Sequence, residues 1–461
     1  MLERIRELNP GLNAYLTVSE EKAVGEARKA ERELCGRSRG TKRCDRGALH
    51  GIPISLKDNI YSAGVRTTGG SKILAEFVPE DDAPVVSSLE QAGAVILGKT
   101  NMHEFAYGVT TENPHFGATH NPWDRGRIAG GSSGGSAAAL AAGLCYGSVG
   151  TDTGGSIRIP ASLCGVVGLK PGLGRVNAQD VIPLSKTLDV VGPMARTVED
   201  SSALFRAISF EPKNKHEQSS GRLLSTRGRF TLGIPREFFF DVLSPEVELG
   251  FEAAVRLFEK LGARFREVSI PLLAESEEAG NQIAWAEATC YHQEAGWFPG
   301  RADEYGEDVR TRLEMGIKVS AVDYLRACSL AAKLAGSLDS VMRGNQLDAL
   351  LVPTTPIVAP RLGEDSVAIK GRKHGTRALL LRLNRPANLA GVPAVSIPCG
   401  LTRGGLPVGI QFIGGLGEEH KLLGLASRFE RACPLNRHPT LDNETGGGLS
   451  PSRRQVSLTT T

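Results

Sequence analysis

Short apolar runs alternate with amphipathic stretches along most of this chain. Ala23, Ala27 and Ala30 recur at helical spacing among charged residues, which predicts an early surface helix. "GIPISLKDNI" (51–60) has the run and the exit of a strand that leads into a turn. In "APVVSSLEQAGAVILGKTN" (83–101) a helical period passes through a glycine turn into the strand "AVILGKT". The strands "TLGIPREFF" and "ARFREVSIP" flank the amphipathic helix "PEVELGFEAAVRLFEKLG" (245–262). "LDALLVPTTP" and "PAVSIPCG" read as later strands. Alternation of this kind predicts an α/β layered sheet.

Polar stretches interrupt the pattern in three places. "CGRSRGTKRCDRG" (35–47) reads as a solvated basic loop. Residues 211–229, "EPKNKHEQSSGRLLSTRGR", read as a long surface connector, because the same layered texture resumes after them. The tail "NETGGGLSPSRRQVSLTTT" (443–461) has too few apolar residues to pack and is expected to be disordered. No tandem repeat at a fixed period is visible. The expectation is one domain over 1–440, with a catalytic core near 48–200 and a disordered tail over 441–461.

Composition narrows the class of partner. A chain of 461 residues can bury a large core, and 54 basic against 51 acidic side chains leave no electrostatic footprint for direct nucleic-acid binding. The start "MLERIRELNPGLNAYL" is charged and shows no secretory signal, and no apolar run reaches membrane-spanning length. A soluble, cytoplasmic protein without a membrane partner is the expectation. Eight cysteines with no CxxC pair and no matching histidine cluster read as free, mostly buried thiols.

Candidate chemistry concentrates in "GGSSGGSAAALAAG" (130–143) and "GTDTGGSIRIPASLCG" (150–165). A Walker loop needs a Lys-Ser/Thr pair after its last glycine, but Ser136 and Ala137 follow Gly135. No Rossmann fingerprint fits either. Gly131 to Gly135 formally match G-x-S-x-G around Ser133, the nucleophile turn of His-dependent hydrolases. That pattern is weak in a chain with 55 glycines, and none of His216, His292, His374, His420 and His438 sits in a convincing strand-end loop. His103-Glu104 begins an H-E-x-x-H zinc pattern, but Tyr107 stands at the second histidine position, and His115 and His120 read as loop residues.

Lys57 completes a different constellation. With "GIPISLKDNI", the two glycine-serine stretches resemble the amidase signature family of serine hydrolases. "ILGKTNMHEFAYG", "THNPWDRGRIAGGSSGG", "PLSKTLDVVGPMARTVED", "PANLAGVPAVSIPCG" and "GLPVGIQFIG" carry the likeness on, over essentially 1–430. Lys57 precedes Ser132 by 75 residues and Ser132 precedes Ser156 by 24, the spacing of that family's Ser–Ser–Lys triad. The resemblance implies an α/β/α layered fold with a central mixed sheet. It makes Ser156 the nucleophile, Ser132 the bridging serine on a cis peptide bond, and Lys57 the base. No metal or organic cofactor is implied.

The chemistry gives each residue a reason. A serine hydroxyl is a poor nucleophile without a base, and only neutral lysine can be one. At its ordinary pKa roughly one lysine in a few thousand is neutral at pH 7, so Lys57 is expected to be buried. "TGGS" leaves the backbone N–H groups of Thr153, Gly154, Gly155 and Ser156 unobstructed, and these are the expected oxyanion donors. Asp152 and Arg158 are expected to knit the nucleophile loop, with Ser133 and Ser136 bracing it. Cys164 in "ASLCGVVGL" reads as packed core.

The substrate expected is a small-molecule amide, cleaved through an acyl-Ser156 intermediate with release of ammonia or an amine. The A subunit of the tRNA-dependent glutamine amidotransferase shares these motifs and is kept as an alternative; partner subunits enter only there, and a homo-oligomer is left open. In that protein an aspartate five residues before the "PANLAG" proline reads the substrate's amino group; here that position is Leu381. Arg310 or Arg312 in "YGEDVRTRLEMG" stands where a carboxylate-reading arginine is expected, against a plain surface role. The likeness also leads one to expect residues before Met1, since the chain opens inside the family's first helix. A His-dependent esterase built on Ser133 and a catalytically silent scaffold or binding protein are the remaining alternatives.

Overall fold

The computed structural model describes residues 1–35, 46–210, 228–435 and 438–441. Most of the basic loop at 35–47, nearly all of the connector at 211–229 and all of the 443–461 tail lie outside the described residues.

Eleven strands form one sheet among the described residues. In chain order they are β1 (Tyr15–Val18), β2 (Pro53–Lys57), β3 (Val95–Thr100), β4 (Gly147–Asp152), β5 (Val167–Lys170), β6 (Val190–Ala195) and β7 (Phe230–Pro235). After them come β8 (Ala263–Val268), β9 (Ala349–Pro353), β10 (Ala394–Leu401) and β11 (Pro407–Ile413). Across the sheet they run β1-β3-β2-β4-β6-β5-β10-β11-β9-β7-β8. β2 pairs parallel with both β3 and β4, whereas β4 and β6 are antiparallel, so the sheet is mixed.

The helix-and-strand reading holds in detail. Pro84–Gln91 is a helix with proline in its first turn, and β3 follows it after a Gly93 turn. Pro245–Lys260 connects β7 to β8, which pair parallel in register from Phe230↔Ala263 to Pro235↔Val268. Its apolar stripe, Val247, Phe251, Ala254 and Phe258, is buried against the sheet. Helices Gly134–Ala141 and Arg158–Cys164 pack on each other and on the sheet; Val198–Ile208 and Glu419–Ala432 do the same as a second group. The result is an α/β/α arrangement.

β4 carries no apolar run that would mark it, since "GSVGTD" is nearly all small or polar. It is nonetheless wholly buried, because elements on either side come too close for side chains. A Cβ on Gly150 would lie 2.8 Å from Ser133 Oγ, and one on Gly147 would lie 2.6 Å from Leu204. Helix Gly134–Ala141 is buried on every side up to Leu140, and its small residues let its first turn touch the backbone beneath. There Gly135 N donates to Asn101 O at 3.0 Å, and a Cβ would lie 2.4 Å from that oxygen and 2.5 Å from Ala14 O.

Backbone oxygens cannot swing aside as a flexible side chain can. Gly135→Ala should therefore destabilise the fold by about 2–3 kcal/mol, checked by the shift of the urea unfolding midpoint.

Candidate active site

The parallel pairing of β2 with β4 sets the site. Lys57 ends β2, and the neighbouring strand ends at Thr151 and Asp152, so the loop 153–156 leaves the sheet beside the lysine. Crevices at the carboxyl ends of parallel strands are where α/β sheets expose backbone groups to ligands. Lys57 is completely buried. Its Nζ donates to Ser132 Oγ and to Thr151 Oγ1, each at 2.7 Å. Burial lowers its pKa to about 7, against the opposing pull of Asp189 and Asp152.

Ser132 sits on a cis peptide bond with Gly131, and its backbone oxygen accepts from His103 N at 3.2 Å. Thr111 braces this loop: its Oγ1 donates to Gly130 O at 2.8 Å and accepts from Gly134 N at 3.2 Å. Ser133 N donates to Ser156 O at 3.1 Å, which ties the two serine loops together. No hydrogen bond joins Ser132 Oγ to Ser156 Oγ, a contact that in ligand-free sites often tightens only once substrate binds.

The loop carrying Ser156 is held from behind. Asp152 accepts from Gly155 N at 2.7 Å and Ile157 N at 3.1 Å, and its carboxylate meets Arg158 through Nε and Nη2, both at 3.1 Å. Burial alone would raise the Asp152 pKa, but Arg158 and further donors hold it well below the carboxylate range. Arg158 continues to Gln411 Oε1 (3.0 Å), Asn388 Oδ1 (2.7 Å) and Asn384 O (3.0 Å). The expected set of oxyanion donors needs correction in one member. Gly155 N–H is occupied by Asp152 and cannot serve an oxyanion, whereas the amides of Thr153, Gly154 and Ser156 have no partner among the described residues. Gly155 is needed for its φ of +123° and because a Cβ there would lie 2.6 Å from Asn384 Cβ.

One contributor was not among the expected site residues, although it lies in a family-like stretch. Asp189 accepts from Thr153 Oγ1 at 2.5 Å and from the amides of Leu184 and Ser185. Burial raises its pKa to about 6, and it is the leading charge acting on Lys57. Ser136 Oγ pairs with Thr100 Oγ1 at 2.8 Å, and Ser133 Oγ donates to Thr151 O at 3.3 Å. No histidine meets Ser133 among the described residues. His103 is bonded to Asp308, His115 to Glu104 and His292 to the Tyr305 hydroxyl, so none of these three serves Ser133; His216 lies outside the described residues. Cys164 is core, its thiol on Ala129 O at 3.3 Å.

Ser156, Thr153 and Gly154 open onto a narrow cleft whose non-atom space, open solvent at its mouth included, is ≈ 460 Å³. Tyr107, Leu184, Leu188, Leu381 and Leu389 are among the side chains of its wall. Neither Arg310 nor Arg312 lines it: Arg310 reaches Asp303 and Glu314, and Arg312 turns to Tyr107 O (2.6 Å) and Asp308 (2.8 Å). Arg377 and Arg385 line it instead.

The amidase family profile matches residues 1–423. The chain belongs to the amidase family. It is 39% identical to the A subunit of the glutamyl-tRNA(Gln) amidotransferase of Syntrophus aciditrophicus, over 95% of this chain and 94% of that protein. A crystal structure of an amidase is 36% identical and superimposes with a TM-score of 0.85, over 94% of each chain. The A subunit of the Thermotoga maritima amidotransferase is 34% identical with a TM-score of 0.76, over 96% of this chain and 93% of that one.

Removing one member of a buried ion pair strands the other charge in the interior. Arg158→Met should cost about 3–5 kcal/mol and lower the unfolding midpoint accordingly, measured by urea denaturation followed by circular dichroism.

Proposed function

We propose that this amidase hydrolyses the C–N bond of a carboxamide with Ser156 as nucleophile, Ser132 as bridging hydroxyl and Lys57 as base. One observation carries the reading: a fully buried lysine, with its pKa lowered to about 7, donates a 2.7 Å hydrogen bond to a serine on the loop beside Ser156. At pH 7 about half of such a lysine is neutral, and neutral lysine can accept a proton.

Lys57 takes the Ser132 proton as Ser132 takes that of Ser156. Ser156 Oγ then bonds to the amide carbon, and the carbonyl oxygen becomes an oxyanion facing the free amides of Thr153, Gly154 and Ser156. Each such donor is worth about 3–4 kcal/mol in the transition state. The proton returns through Ser132 to the nitrogen as the C–N bond breaks and the amine or ammonia leaves. Water, deprotonated by the same relay, attacks the acyl ester, breaks its bond to Ser156 Oγ and releases the carboxylic acid. Asp189 and Asp152 favour the transient Lys57 ammonium, as their pull on its pKa indicates.

The relation to the amidotransferase proteins supports a second reading, a glutaminase that works with partner subunits. Against it, Leu381 forms part of the cleft wall, and none of the residues lining the cleft is a carboxylate that could pair with an α-ammonium. We place the enzyme in the cytoplasm: the described cysteines are free thiols, and no helix among the described residues is long and apolar enough to cross a membrane.

Lys57→Ala, Ser132→Ala and Ser156→Ala should each lower kcat for ammonia release from simple amides by at least about 10³-fold, with folding checked by circular dichroism. Equal activity in Lys57→Ala would overturn the mechanism. Glutamine hydrolysis that appears only with added partner subunits would favour the second reading.

The pH dependence has a definite sign. Protonated Lys57 is inactive, so kcat/KM should fall as pH drops through about 7 and stay level above it. Asp189 favours the ammonium form, so Asp189→Asn should move that limb to lower pH. A limb that stays put or moves upward would remove Asp189 from the electrostatics of the base.

A further inference from the structure

The cleft holds a cation that has no ion-pair partner among the described residues. Arg377 lines it, and its Nε is buried without a hydrogen-bond partner. The whole guanidinium makes no hydrogen bond or ion pair among the described residues. Its neighbours are differently placed. Arg385 is satisfied by Glu277 O and Asn281 Oδ1, both at 2.7 Å, and Arg312 by Tyr107 O and Asp308. Asp308, the acid that acts on Arg377, is already bonded to His103 at 2.9 Å as well as to Arg312. Burial, then Arg312 and Arg385, lower the Arg377 pKa to about 9, a large displacement for a guanidinium.

Such a group in a semi-enclosed apolar cleft is unfavourable unless an anion meets it. Ser156 and the free amides of Thr153 and Gly154 line one part of the same cleft, and Leu184, Leu188, Leu381 and Leu389 supply apolar wall beside them. Leu381 and Arg377 stand one turn apart on helix Thr376–Arg382, and Leu381 Cδ2 would lie 3.1 Å from a Cβ on Gly154. The wall therefore runs from the nucleophile loop along an apolar side chain to an unpaired guanidinium.

We propose that Arg377 is a specificity-determining residue that binds a carboxylate at the far end of the acyl group, so that the cleft selects monoamides of dicarboxylic acids. This rests on the amidase reading above. A neutral amide leaves Arg377 unpaired. An amino-acid amide such as glutamine brings an ammonium for which the cleft wall offers no carboxylate. A chain with an amide at one end, methylenes between and a carboxylate at the other matches the Ser156 end, the leucine wall and Arg377 in turn.

The test compares ammonia release from malonamate, succinamate, glutaramate and adipamate with that from butyramide, valeramide and glutamine. Wild-type enzyme should favour at least one of the anionic amides over the neutral ones by kcat/KM. In Arg377→Gln that preference should fall by about 10- to 100-fold, mainly through KM, and Arg377→Lys should restore part of it. A wild-type enzyme without preference for the anionic series, a preference for glutamine, or an unchanged ratio in Arg377→Gln overturns the proposal. If Arg377→Gln does not fold, the wild-type ratio and the lysine variant decide. Binding separates this failure from failure of the amidase mechanism. Calorimetric titration of Ser156→Ala with succinate and glutarate needs no turnover. Binding there that is lost on adding Arg377→Gln sustains the carboxylate site even if no amide is hydrolysed, and no binding overturns it.

Discussion

The desolvation of one amine governs this structure. In water an alkylammonium keeps its proton far above neutral pH, and no neighbouring serine can take advantage of it. Here Lys57 ends a strand that is flanked by two parallel neighbours and covered by helices, so its amine is reached only by Ser132 and Thr151 among the described residues. The lost hydration brings the pKa to about 7. Two acids stand near enough to moderate the effect without bonding to the amine. A directly paired carboxylate would fix the proton on Lys57 and abolish its use as a base.

That demand explains the composition around the site. A lysine can be buried this deeply only if its surroundings are close-packed and polar at the right atoms. Glycines and alanines let helix Gly134–Ala141 lie on the sheet, and Ser, Thr and Asn side chains satisfy the backbone where the chain turns. The Asp152–Arg158 pair serves the same end at longer range. Through Gln411, Asn384 and Asn388 it ties the nucleophile loop to β11 and to helix Arg385–Leu389, more than two hundred residues away in sequence.

That Lys57 meets Ser132 beside the Ser156 loop was legible in the sequence, because motif spacing preserves what local geometry requires. The β7–helix–β8 unit was legible because its apolar period is strong. β4 was not, since a strand pressed between close helices needs small residues, and small residues carry no hydrophobic period. The occupied amide of Gly155 was equally hidden: "TGGS" shows that the loop is unobstructed, not which N–H groups face inward. Arg377, Leu381 and Arg385 recur at four-residue intervals, but the helix breaks between Arg382 and Arg385, and only the folded chain places all three in the cleft wall. Asp189 lies in the family-like stretch "PLSKTLDVVGP", yet its effect on Lys57 depends on the pairing of β6 with β4, which sets it beside Asp152 and Thr153.

A depressed lysine pKa does not by itself mark the base. Lys170 is also fully buried and lowered to about 7, by burial and then by Arg158, yet its Nζ is spent on Pro171 O at 2.7 Å. Lys99 is buried and lowered to about 8, but it is fixed by Ile60 O, Thr67 Oγ1 and, at 3.6 Å, Asp58. Both can lose a proton, and neither has a serine through which to send or receive one. What separates Lys57 is where its partner lies: Ser132 Oγ, which can accept from the amine and then donate to it, stands on the loop tied to Ser156, whereas the Thr67 hydroxyl that accepts from Lys99 donates its own proton to Val65 O at 3.1 Å. Burial makes the three lysines alike, and the Ser132 loop is what qualifies Lys57 for the role proposed for it. The same reasoning sets Arg377 apart from Arg312 and Arg385, since a buried cation with satisfied donors is structure, while one left open beside a nucleophile is positioned for substrate.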